Sequence, residues 1–370
     1  MKIVIDATPL LLRSAGVKTA LYHWIEALRQ EAREDEIHLY PPGVRLDGLA
    51  HDTSVSGPLA TYAGMFMAVA NQRLGVPFPD WFARGADVFH CTNQVRTPPR
   101  RIPFTATLHD LTCWKMPGFH SEANVRADRE FAERVLKRAA GIIAVSEATR
   151  QDAIKVLGLP PEKIRTIHNG VSAAYFEARM PPPRRKPYAL FVGTIEPRKN
   201  VDRLLDAWDL LPAQMRSEYD LLLAGGAGWR CEATVARLRA ARSGVFWLGY
   251  YPEALLPELI RGAALLVYPS LYEGFGLPVA QAMACGTACV TSNVSSLPEI
   301  AGDAALYVNP ESTEEIRDAL LRLLDHAEER ARLGAAGRAR AERMFRWERA
   351  ARESLEFFRQ VTGCPGPPQP

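Results

Sequence analysis

The sequence predicts an α/β protein with two Rossmann-like domains, whose parallel sheets face an interdomain cleft. Three observations support this prediction. The chain has 370 residues, 47% of them hydrophobic, which is too long for one ordinary core and suits two domains. Short apolar runs alternate with longer amphipathic stretches, as expected for parallel strands covered by helices on both faces. A proline-rich run interrupts this alternation, and the same pattern then begins again.

The first half of the chain predicts four strands and two long helices. Residues 19–33 place Leu21, Ile25 and Leu28 on one helical face. Residues 122–140 form a charged amphipathic stretch in which basic and acidic residues are interleaved, as on a solvated helix face. The strands are short apolar runs at 2–7, 87–90, 104–108 and 141–145. We assign these elements to a first domain over residues 1–178.

A run of prolines and basic residues over 180–187 ends this pattern, because proline continues neither a helix nor a central strand. We therefore expect a linker over 179–187 and a second domain over 188–345. Its predicted strands are 188–192, 220–224, 245–248, 264–268 and 288–291, and its predicted helices are 200–211, 255–262, 278–285 and 312–324. The proline-rich end of the chain, 363–370, predicts a disordered tail.

Charge and cysteine content exclude several classes of protein. The net charge is +3 and no concentrated basic stripe is present, which argues against a nucleic-acid partner. The six cysteines form no CxxC pair, and Cys285 and Cys289 lack nearby ligands for zinc, so we expect reduced thiols and no metal site. Asp6 interrupts the first apolar run, and no apolar run approaches the roughly 20 residues that span a bilayer. These features predict a cytoplasmic protein.

A glycine-rich segment, EGFGLP at 273–278, follows the strand predicted at 264–268. Ligands of open parallel sheets bind at the carboxyl ends of strands. Glycines allow the backbone to approach a ligand closely, and Pro278 is suited to the first position of a helix. Free N–H groups at a helix N-terminus favour a diphosphate. A plain strand-to-helix turn explains the same residues equally well.

Arg198 and Lys199 follow the strand predicted at 188–192, at the start of a helix. Positive charge is unfavourable near a helix N-terminus, so a functional role is favoured over a solvated pair. Two cations at this edge of the sheet would bind the same diphosphate and neutralise charge on a departing phosphate.

His109 and Gly16 are weaker candidates from the first domain. His109 follows the strand predicted at 104–108 and is singled out by that position, since a lone histidine is more often structural. Gly16 lies in the segment 14–19, which matches neither the dinucleotide-binding nor the P-loop fingerprint. Its glycine would still permit close approach of a ligand.

The motifs GTIEPRKN at 193–200, EGFGLP at 273–278 with AMACG at 282–286, and SNVSSLPEIAGD at 292–303 resemble those of one enzyme family. The chain is similar to retaining GT-B glycosyltransferases of family 4, also called glycosyltransferase group 1, and in particular to mannosyltransferase-like members. The similarity covers nearly the whole chain and is strongest over 188–310. It implies a GT-B fold in which a last helix, 346–362, crosses back to the first domain.

The resemblance also implies a role for each candidate residue. Arg198 and Lys199 would bind the donor phosphates, Glu273 would contact hydroxyls of the donor sugar, and His109 would lie near the reacting centre. The implied catalytic residues are therefore His109, Arg198, Lys199 and Glu273. The implied donor-binding residues are Gly16, Arg198, Lys199, Tyr250, Glu273, Gly274, Phe275, Gly276, Leu277 and Gln281. No metal or cofactor is implied, since the nucleotide-sugar is a substrate.

Gln281 departs from the family pattern. The second acid of the family's glutamate pair is expected eight residues after Glu273, and this chain has glutamine there. In the family this acid holds the ribose hydroxyls. Glutamine still accepts a hydrogen bond but loses the charge-assisted one, so the resemblance predicts a weaker or remodelled ribose contact.

The resemblance predicts transfer of a hexose, preferably mannose from GDP-mannose, with UDP-linked sugars as the alternative donors. The acceptor would be a hydroxyl of a saccharide or of a lipid-linked molecule, in bacterial polysaccharide, lipopolysaccharide or glycolipid assembly. A GT-B epimerase, a phosphorylase and a nucleotide-sugar-binding protein of low activity are the rival readings. Apolar and aromatic residues over 59–82 fit a core helix, or a surface in peripheral contact with a membrane.

Overall fold

A computed structural model describes residues 1–12, 16–46, 48–49, 53–182, 184–240 and 244–364. The chain divides into two compact units. The first contains Met1–Pro117, Ser121–Gly170 and the chain from Trp347 onward, and the second contains Gly118–His120 and Val171–Arg346. Six residues of the predicted tail, 365–370, and Pro183 of the predicted linker lie outside the described residues.

The first unit is built on a six-stranded parallel sheet with strand order β2-β1-β3-β4-β5-β6. The central strands are buried on both faces and are therefore continuously apolar, as in Ile3, Val4 and Ile5 of the first strand. The strands are β1 (Lys2–Asp6), β2 (Glu36–Tyr40), β3 (Val88–Cys91), β4 (Phe104–Leu108), β5 (Gly141–Ala144) and β6 (Ile164–Thr166). The helices before the crossing to the second unit are α1 (Gly16–Glu31), α2 (Pro58–Leu74), α3 (Phe78–Phe82), α4 (Thr112–Lys115), α5 (Glu122–Arg134) and α6 (Glu147–Leu157).

The second unit has its own six-stranded parallel sheet, with strand order β12-β11-β10-β7-β8-β9. Its strands are β7 (Tyr188–Val192), β8 (Asp220–Ala224), β9 (Val245–Gly249), β10 (Leu265–Tyr268), β11 (Cys289–Ser292) and β12 (Ala305–Val308). Its helices are α7 (Ala173–Phe176), α8 (Val201–Asp209), α9 (Ala213–Glu218), α10 (Glu232–Arg239), α11 (Leu256–Arg261), α12 (Leu277–Ala284), α13 (Leu297–Ala301), α14 (Thr313–Asp325) and α15 (Ala327–Met344). Two parallel sheets in one α/β chain are the architecture predicted from the sequence.

The last helix, α16 (Trp347–Thr362), belongs to the first unit and packs against α1. Its buried face contributes Leu355 and Phe358 to the core that also contains Ile25 and Leu28. The indole of Trp24 donates to the Ser354 hydroxyl over 3.0 Å, so a buried polar contact accompanies the apolar packing. The first unit is therefore completed by the C-terminal end of the described chain.

Several boundaries differ from the predicted ones. The division between units falls between Gly170 and Val171, so the described part of 179–187 lies within the second unit. The helix predicted over 122–140 ends at Arg134, and a separate 3-10 turn, Leu136–Arg138, follows it. The helix predicted from residue 200 begins at Val201, because Asn200 has left-handed backbone angles with φ of 61°. Among the described residues, no helix is both long and apolar enough to cross a membrane.

Candidate active site

Two motifs predicted separately lie side by side in the second unit. Strand β10 pairs with β7 in parallel, so the loops that follow the two strands emerge at the same edge of the sheet. The amide N–H of Leu271 donates to the Arg198 carbonyl over 2.9 Å. The side-chain amide of Asn200 donates to the Pro269 carbonyl over 3.0 Å. Residues 193–200 and 269–276 therefore form one continuous site.

Glycine is required where the loop after β7 meets the loop after β8. Gly193 and Gly225 have φ of 153° and 154°, values that side chains rarely tolerate. A Cβ atom on Gly225 would lie 1.9 Å from the Gly193 carbonyl oxygen. The two backbones are therefore in direct contact, and this contact sets the path of the chain towards Arg198 and Lys199.

Four charged side chains form a buried cluster in this site. Arg198 Nη1 lies 2.6 Å from Glu273 Oε2, and its Nη2 lies 2.7 Å from Glu196 Oε1. Lys199 Nζ lies 2.6 Å from Glu273 Oε1. The most exposed of these side chains, Arg198, is only 13% exposed. We call Glu196, Arg198, Lys199 and Glu273 the charge cluster; it contains two positive and two negative groups.

The charge cluster keeps Glu273 ionised. Burial alone would raise the pKa of this carboxyl, but Arg198 and Lys199 override burial and hold the pKa at about 2. For Lys199 the balance is different, since burial and the neighbouring Arg198 lower its pKa while Glu273 opposes them. Removing Glu273 would therefore leave two cations in a buried site with less compensation.

Tyr268, the last residue of β10, belongs to the same cluster of contacts and was missed by the sequence analysis. Its hydroxyl accepts a hydrogen bond from Lys199 and donates one to Glu273 Oε1 over 2.9 Å. Its ring centroid lies 5.0 Å from Lys199 Nζ. A tyrosine at the carboxyl end of an otherwise aliphatic buried strand is the sequence signal that would have found it.

The EGFGLP segment is shaped by its contacts with the loop after β11. Ser295 Oγ accepts a hydrogen bond from the Glu273 amide over 2.9 Å, and Ser296 Oγ donates to the Glu273 carbonyl over 3.0 Å. Gly276 has φ of 92°, and a Cβ there would lie 2.6 Å from Leu297 Cδ2. Helix α12 begins at Leu277. Pro278 is therefore its second residue, whereas the sequence predicted that it would be the first.

The side chains of the EGFGLP segment point mostly into the protein. The Phe275 ring is 6% exposed and packs edge-to-face on Phe345, with centroids 5.6 Å apart. Gly274 and Gly276 are buried and Leu277 is half-buried. The backbone amides of 274–277, rather than the side chains, are therefore the groups that a ligand at this helix N-terminus would meet.

Gln281 lies on α12, and its side chain is engaged by a neighbour in the second unit. It is 5% exposed, and its side chain lies close enough to the Tyr175 hydroxyl to oppose the rise in the pKa of Tyr175 that burial causes. That hydroxyl donates to Glu253 Oε1 over 2.7 Å. Because Tyr175 donates its one proton to Glu253, the lowering of its pKa by Gln281 is the effect expected when the amide N–H group of Gln281 faces the hydroxyl oxygen. We call Tyr175, Glu253 and Gln281 the Tyr175 network, which the sequence analysis did not anticipate.

Tyr250 lies apart from the charge cluster. It follows β9, the edge strand of the second sheet, and is 52% exposed. Strand β8 lies between β9 and β7, so Tyr250 follows a strand two positions away from the one that leads to Arg198. The structure therefore places Tyr250 at the same end of the sheet but not in the charge cluster.

His109 lies in the first unit, directly after β4, and is half-buried. Burial lowers the pKa of its imidazole, and Asp110 opposes that shift. His109 lines a pocket within this unit that is partly open to solvent, called the cavity below. Other lining residues come from the loops after β3, β5 and β6 and from α16, among them Thr92, Val145, His168, Asn169 and Trp347. His168 and Trp347 were not predicted as site residues.

Gly16 does not occupy the loop position that was predicted for it. It is the first residue of α1, and Val17, rather than Gly16, lines the cavity. A Cβ on Gly16 would meet no atom within 4 Å. Three of the predicted loop residues, 13–15, lie outside the described residues. Within the described ranges, no group of three or more His, Cys, Asp or Glu side chains is arranged to hold a metal ion.

Comparison with known proteins gives the family of this chain. Residues 14–175 match the model of Glycosyltransferase Family 4, and residues 176–340 match that of Glycosyl transferases group 1. O-antigen chain mannosyltransferase B of Escherichia coli is 31% identical, over 97% of this chain and 100% of its own length. This chain belongs to the group 1 glycosyltransferases. The predicted family is therefore confirmed.

Solved structures support the fold of this glycosyltransferase. Sucrose-phosphate synthase from Thermosynechococcus elongatus superposes with a TM-score of 0.77 at 20% identity, covering 99% of this chain and 100% of that one. The HepE protein of Anabaena, solved in complex with UDP-glucose, gives a TM-score of 0.70 at 19% identity, covering 96% and 99% of the two chains. Together with the two parallel sheets, these likenesses confirm the predicted GT-B fold.

Proposed function

We propose that this glycosyltransferase transfers a hexose, most readily mannose from GDP-mannose, to a hydroxyl of a saccharide or lipid-linked acceptor. We further propose that transfer retains the anomeric configuration, requires no metal or cofactor, and serves bacterial polysaccharide, lipopolysaccharide or glycolipid assembly in the cytoplasm. The observation that carries the proposal is the charge cluster beside the N-terminus of α12, at the carboxyl edge of β7 and β10. UDP-linked sugars are the alternative donors.

Arg198 and Lys199 are the proposed phosphate ligands. Both are held in fixed positions by Glu273, so little ordering of long side chains is required when a diphosphate binds. The cluster has no net charge, and a diphosphate adds negative charge that the amides of 274–277 and the α12 N-terminus help to stabilise. Preorganised donors of this kind stabilise charge on a departing phosphate more effectively than mobile ones.

The proposed reaction needs no side chain as general base. The bond between the sugar C1 and the donor phosphate oxygen breaks, and a bond between C1 and the acceptor oxygen forms on the same face. The proton of the acceptor hydroxyl passes to the released phosphate. His109, which lines the cavity in the first unit, is proposed to contact the sugar. The lowered pKa of this imidazole favours its neutral form.

Substitution of the two cations tests the phosphate assignment. We expect Arg198→Ala and Lys199→Ala each to lower kcat/KM by about 10²-fold or more, the range found when one preorganised donor is removed. Both variants should still fold, as judged by circular dichroism, although the unbalanced Glu273 charge will lower their stability. Near wild-type activity in both variants would show that the phosphate assignment is wrong.

A thermal-shift panel tests the donor. GDP-mannose should raise the melting temperature, since a ligand at 100 times its Kd adds about 2.7 kcal/mol to the native state. UDP-glucose, UDP-GlcNAc and ADP-glucose should shift it less. A larger shift with a UDP-sugar would identify that sugar nucleotide as the donor in place of GDP-mannose. The proposed transfer reaction would be unaffected. Turnover should be unchanged by EDTA, and a loss on chelation would contradict the metal-free proposal.

Gln281 motivates a second candidate function, nucleotide-sugar binding with little or no transfer. The glutamine side chain is 5% exposed and lies beside Tyr175, which leaves it less available to a ribose hydroxyl. Stabilisation by a nucleotide-sugar without turnover across a broad acceptor panel would favour this candidate. Incubation with donor alone distinguishes a transferase from an epimerase. An epimerised nucleotide-sugar as product would rule out transfer as the main reaction.

A further inference from the structure

Helix α2 exposes apolar side chains along one face. Leu59, Tyr62, Phe66 and Val69 are 87%, 76%, 70% and 46% exposed. Their spacing of three, four and three residues places them in a single row along the helix. We call these four residues the α2 row. Isolated apolar residues on a surface need no explanation, but a contiguous set of large ones marks an interaction site.

Helix α3, which follows α2 in the chain, exposes two aromatic residues of its own. Trp81 and Phe82 are 60% and 48% exposed. Phe78 holds both of them, with its ring centroid 5.3 Å from that of Trp81 and 6.5 Å from that of Phe82. We call Trp81 and Phe82 the α3 pair. The pair is presented on a packed helix rather than on a loose loop.

The opposite face of α2 is fixed to the first unit. Met67 is 9% exposed, and a Cβ on Gly64 would lie 2.4 Å from Leu11 Cδ1, so backbone and core are in close contact. Asn71 donates to the Thr97 carbonyl over 2.9 Å and accepts from the Arg96 amide over 3.0 Å. The sequence left open whether 59–82 is core or surface. The structure shows that α2 has one face packed in the core and the opposite face exposed to solvent.

Charged residues in this part of the chain are predominantly basic. Residues 53–104 contain five arginines and two aspartates, and α2 itself contains no acid. Arg73, Arg84, Arg100 and Arg101 are exposed. The backbone amides of Arg100 and Arg101 both donate to Asp80 Oδ1, over 2.7 and 3.3 Å. The backbone of these arginines therefore lies next to α3, at the residue before Trp81. Exposed aromatic and aliphatic residues flanked by arginines are the combination that binds an anionic lipid surface.

We propose that the α2 row and the α3 pair dock this glycosyltransferase onto a membrane surface that contains anionic lipids, where it meets a lipid-linked acceptor. The choice of a lipid-linked acceptor rests on the proposed transferase function, whereas the docking does not. A second copy of the chain is a poorer occupant. A two-fold interface places the same patch against itself and would bring the arginines of the two copies together.

Vesicle flotation tests the docking directly. We expect the wild type to float with vesicles of phosphatidylcholine and phosphatidylglycerol, to float poorly with phosphatidylcholine alone, and to be partly released by salt, which screens exposed charges. The partition coefficient of the variant Tyr62→Asp/Phe66→Asp onto these vesicles should be more than about tenfold lower than that of the wild type. Each aromatic side chain buried in the membrane contributes about that factor to partitioning. Met67 on the same helix is unsuitable for this test, because it faces the core.

A matched control introduces the same charges elsewhere. Val156 on α6 and Leu210 after α8 are 41% and 52% exposed and lie outside the α2 row and the α3 pair. We expect Val156→Asp/Leu210→Asp to float as the wild type does, with both double variants retaining wild-type melting temperatures. Equal flotation of the Tyr62/Phe66 variant and the wild type, or no flotation of either, would overturn the docking proposal. A concentration-dependent dimer of the wild type that the Tyr62/Phe66 variant abolishes would assign the surface to a second copy.

Activity assays separate docking from transfer. With a water-soluble acceptor, Tyr62→Asp/Phe66→Asp should turn over at the wild-type rate. With an acceptor carried in anionic vesicles, its rate should fall by more than about tenfold. Wild-type transfer to vesicle-borne acceptor that is insensitive to these substitutions would overturn the lipid-linked part of the proposal. Absence of transfer by the wild type to any acceptor would contradict the proposed function and leave the flotation result standing.

Discussion

Glu273 pairs with both cations of the charge cluster, and through them it links the loop after β7 to the loop after β10. Its pKa of about 2, against 4.5 for a free glutamate side chain, makes this link dependent on pH. The unfolded chain binds a proton at the higher pKa and the folded chain at the lower one. Stability from Glu273 is therefore complete above about pH 4.5 and is lost as the pH falls towards 2.

A comparison with Glu273→Gln measures this dependence. The shift corresponds to about 3 kcal/mol of unfolding free energy. We expect the wild-type free energy of unfolding to fall more steeply than that of Glu273→Gln between about pH 5 and pH 2, with the difference approaching this value at the lower pH. Urea denaturation at a series of pH values gives both curves. Parallel curves for the two proteins would contradict the buried, paired state of this carboxylate.

The Tyr175 network predicts that restoring an acid at 281 is harmful. The Tyr175 hydroxyl already donates its proton to Glu253, so a carboxylate introduced by Gln281→Glu would have no proton to accept from it. We expect Gln281→Glu to cost about 1–3 kcal/mol, as for a buried group left unsatisfied. It should also weaken donor-induced stabilisation.

The reverse exchange supplies the control for this prediction. In Gln281→Glu/Glu253→Gln, the tyrosine hydroxyl donates to the new carboxylate and accepts from the new amide. We expect the double variant to recover most of the lost free energy of unfolding, a coupling of about 1–3 kcal/mol in a double-mutant cycle. Additive losses in urea denaturation would show that the three side chains do not form one network.

The candidate site was only partly predictable at this scale. Arg198, Lys199 and Glu273 were found because each lies in a recognisable motif after a buried strand. The pairing of Lys199 with Tyr268 and the contact of Gln281 with Tyr175 were not found, because their partners are separated by 69 and by about 106 positions. Such contacts depend on which strands are neighbours in the sheet, and strand order is not written in local periodicity.

The strands that escaped prediction lie at sheet edges, although β9, also an edge strand, was found from its apolar run. Strands β2, β6 and β12 were missed, and all three lie at the edges of their sheets. Strand β2 alternates between exposed and half-buried residues, and β6 is only three residues long. The central strands were found because burial on both faces makes them continuously apolar. Edge strands need apolar residues on fewer positions, so their sequences resemble those of loops.

The loop before α12 makes a prediction at the level of elements. Gly276→Ala introduces a side chain where φ is 92° and where a Cβ would lie 2.6 Å from Leu297 Cδ2. We expect a loss of about 1–3 kcal/mol in unfolding free energy and a reduced shift with donor, because the strained loop carries the 274–277 amides. Gly16→Ala is the matched control, since its Cβ meets no atom within 4 Å.

The control has its own informative outcome. Gly16→Ala should leave the melting temperature unchanged, because the glycine begins a helix and has no close neighbour. Unchanged stability with weaker donor binding would support the predicted close approach of a ligand at Gly16. An equal loss of stability in both variants would contradict the special role of the Gly276 conformation.

The association of α16 with the first unit was implied by resemblance to the family and not by the sequence pattern itself. Amphipathic periodicity predicts a helix near the C-terminus but does not name its partner. Its packing partner, α1, begins at Gly16 and lies more than 300 positions earlier. A chain whose first and last helices share one core returns to its first unit after completing the second.

This arrangement predicts that a core substitution in α16 weakens the first unit selectively. Phe358 is fully buried beside Trp24 in the first unit, so Phe358→Ala should cost about 3–5 kcal/mol there. Amide hydrogen exchange should accelerate in β1 and β3 and remain slow in β7 and β10, because each unit has its own core. Leu320→Ala, which removes a fully buried residue of α14, should give the opposite pattern. Equal acceleration in both sheets for either variant would show that the two cores do not act as separate sources of stability.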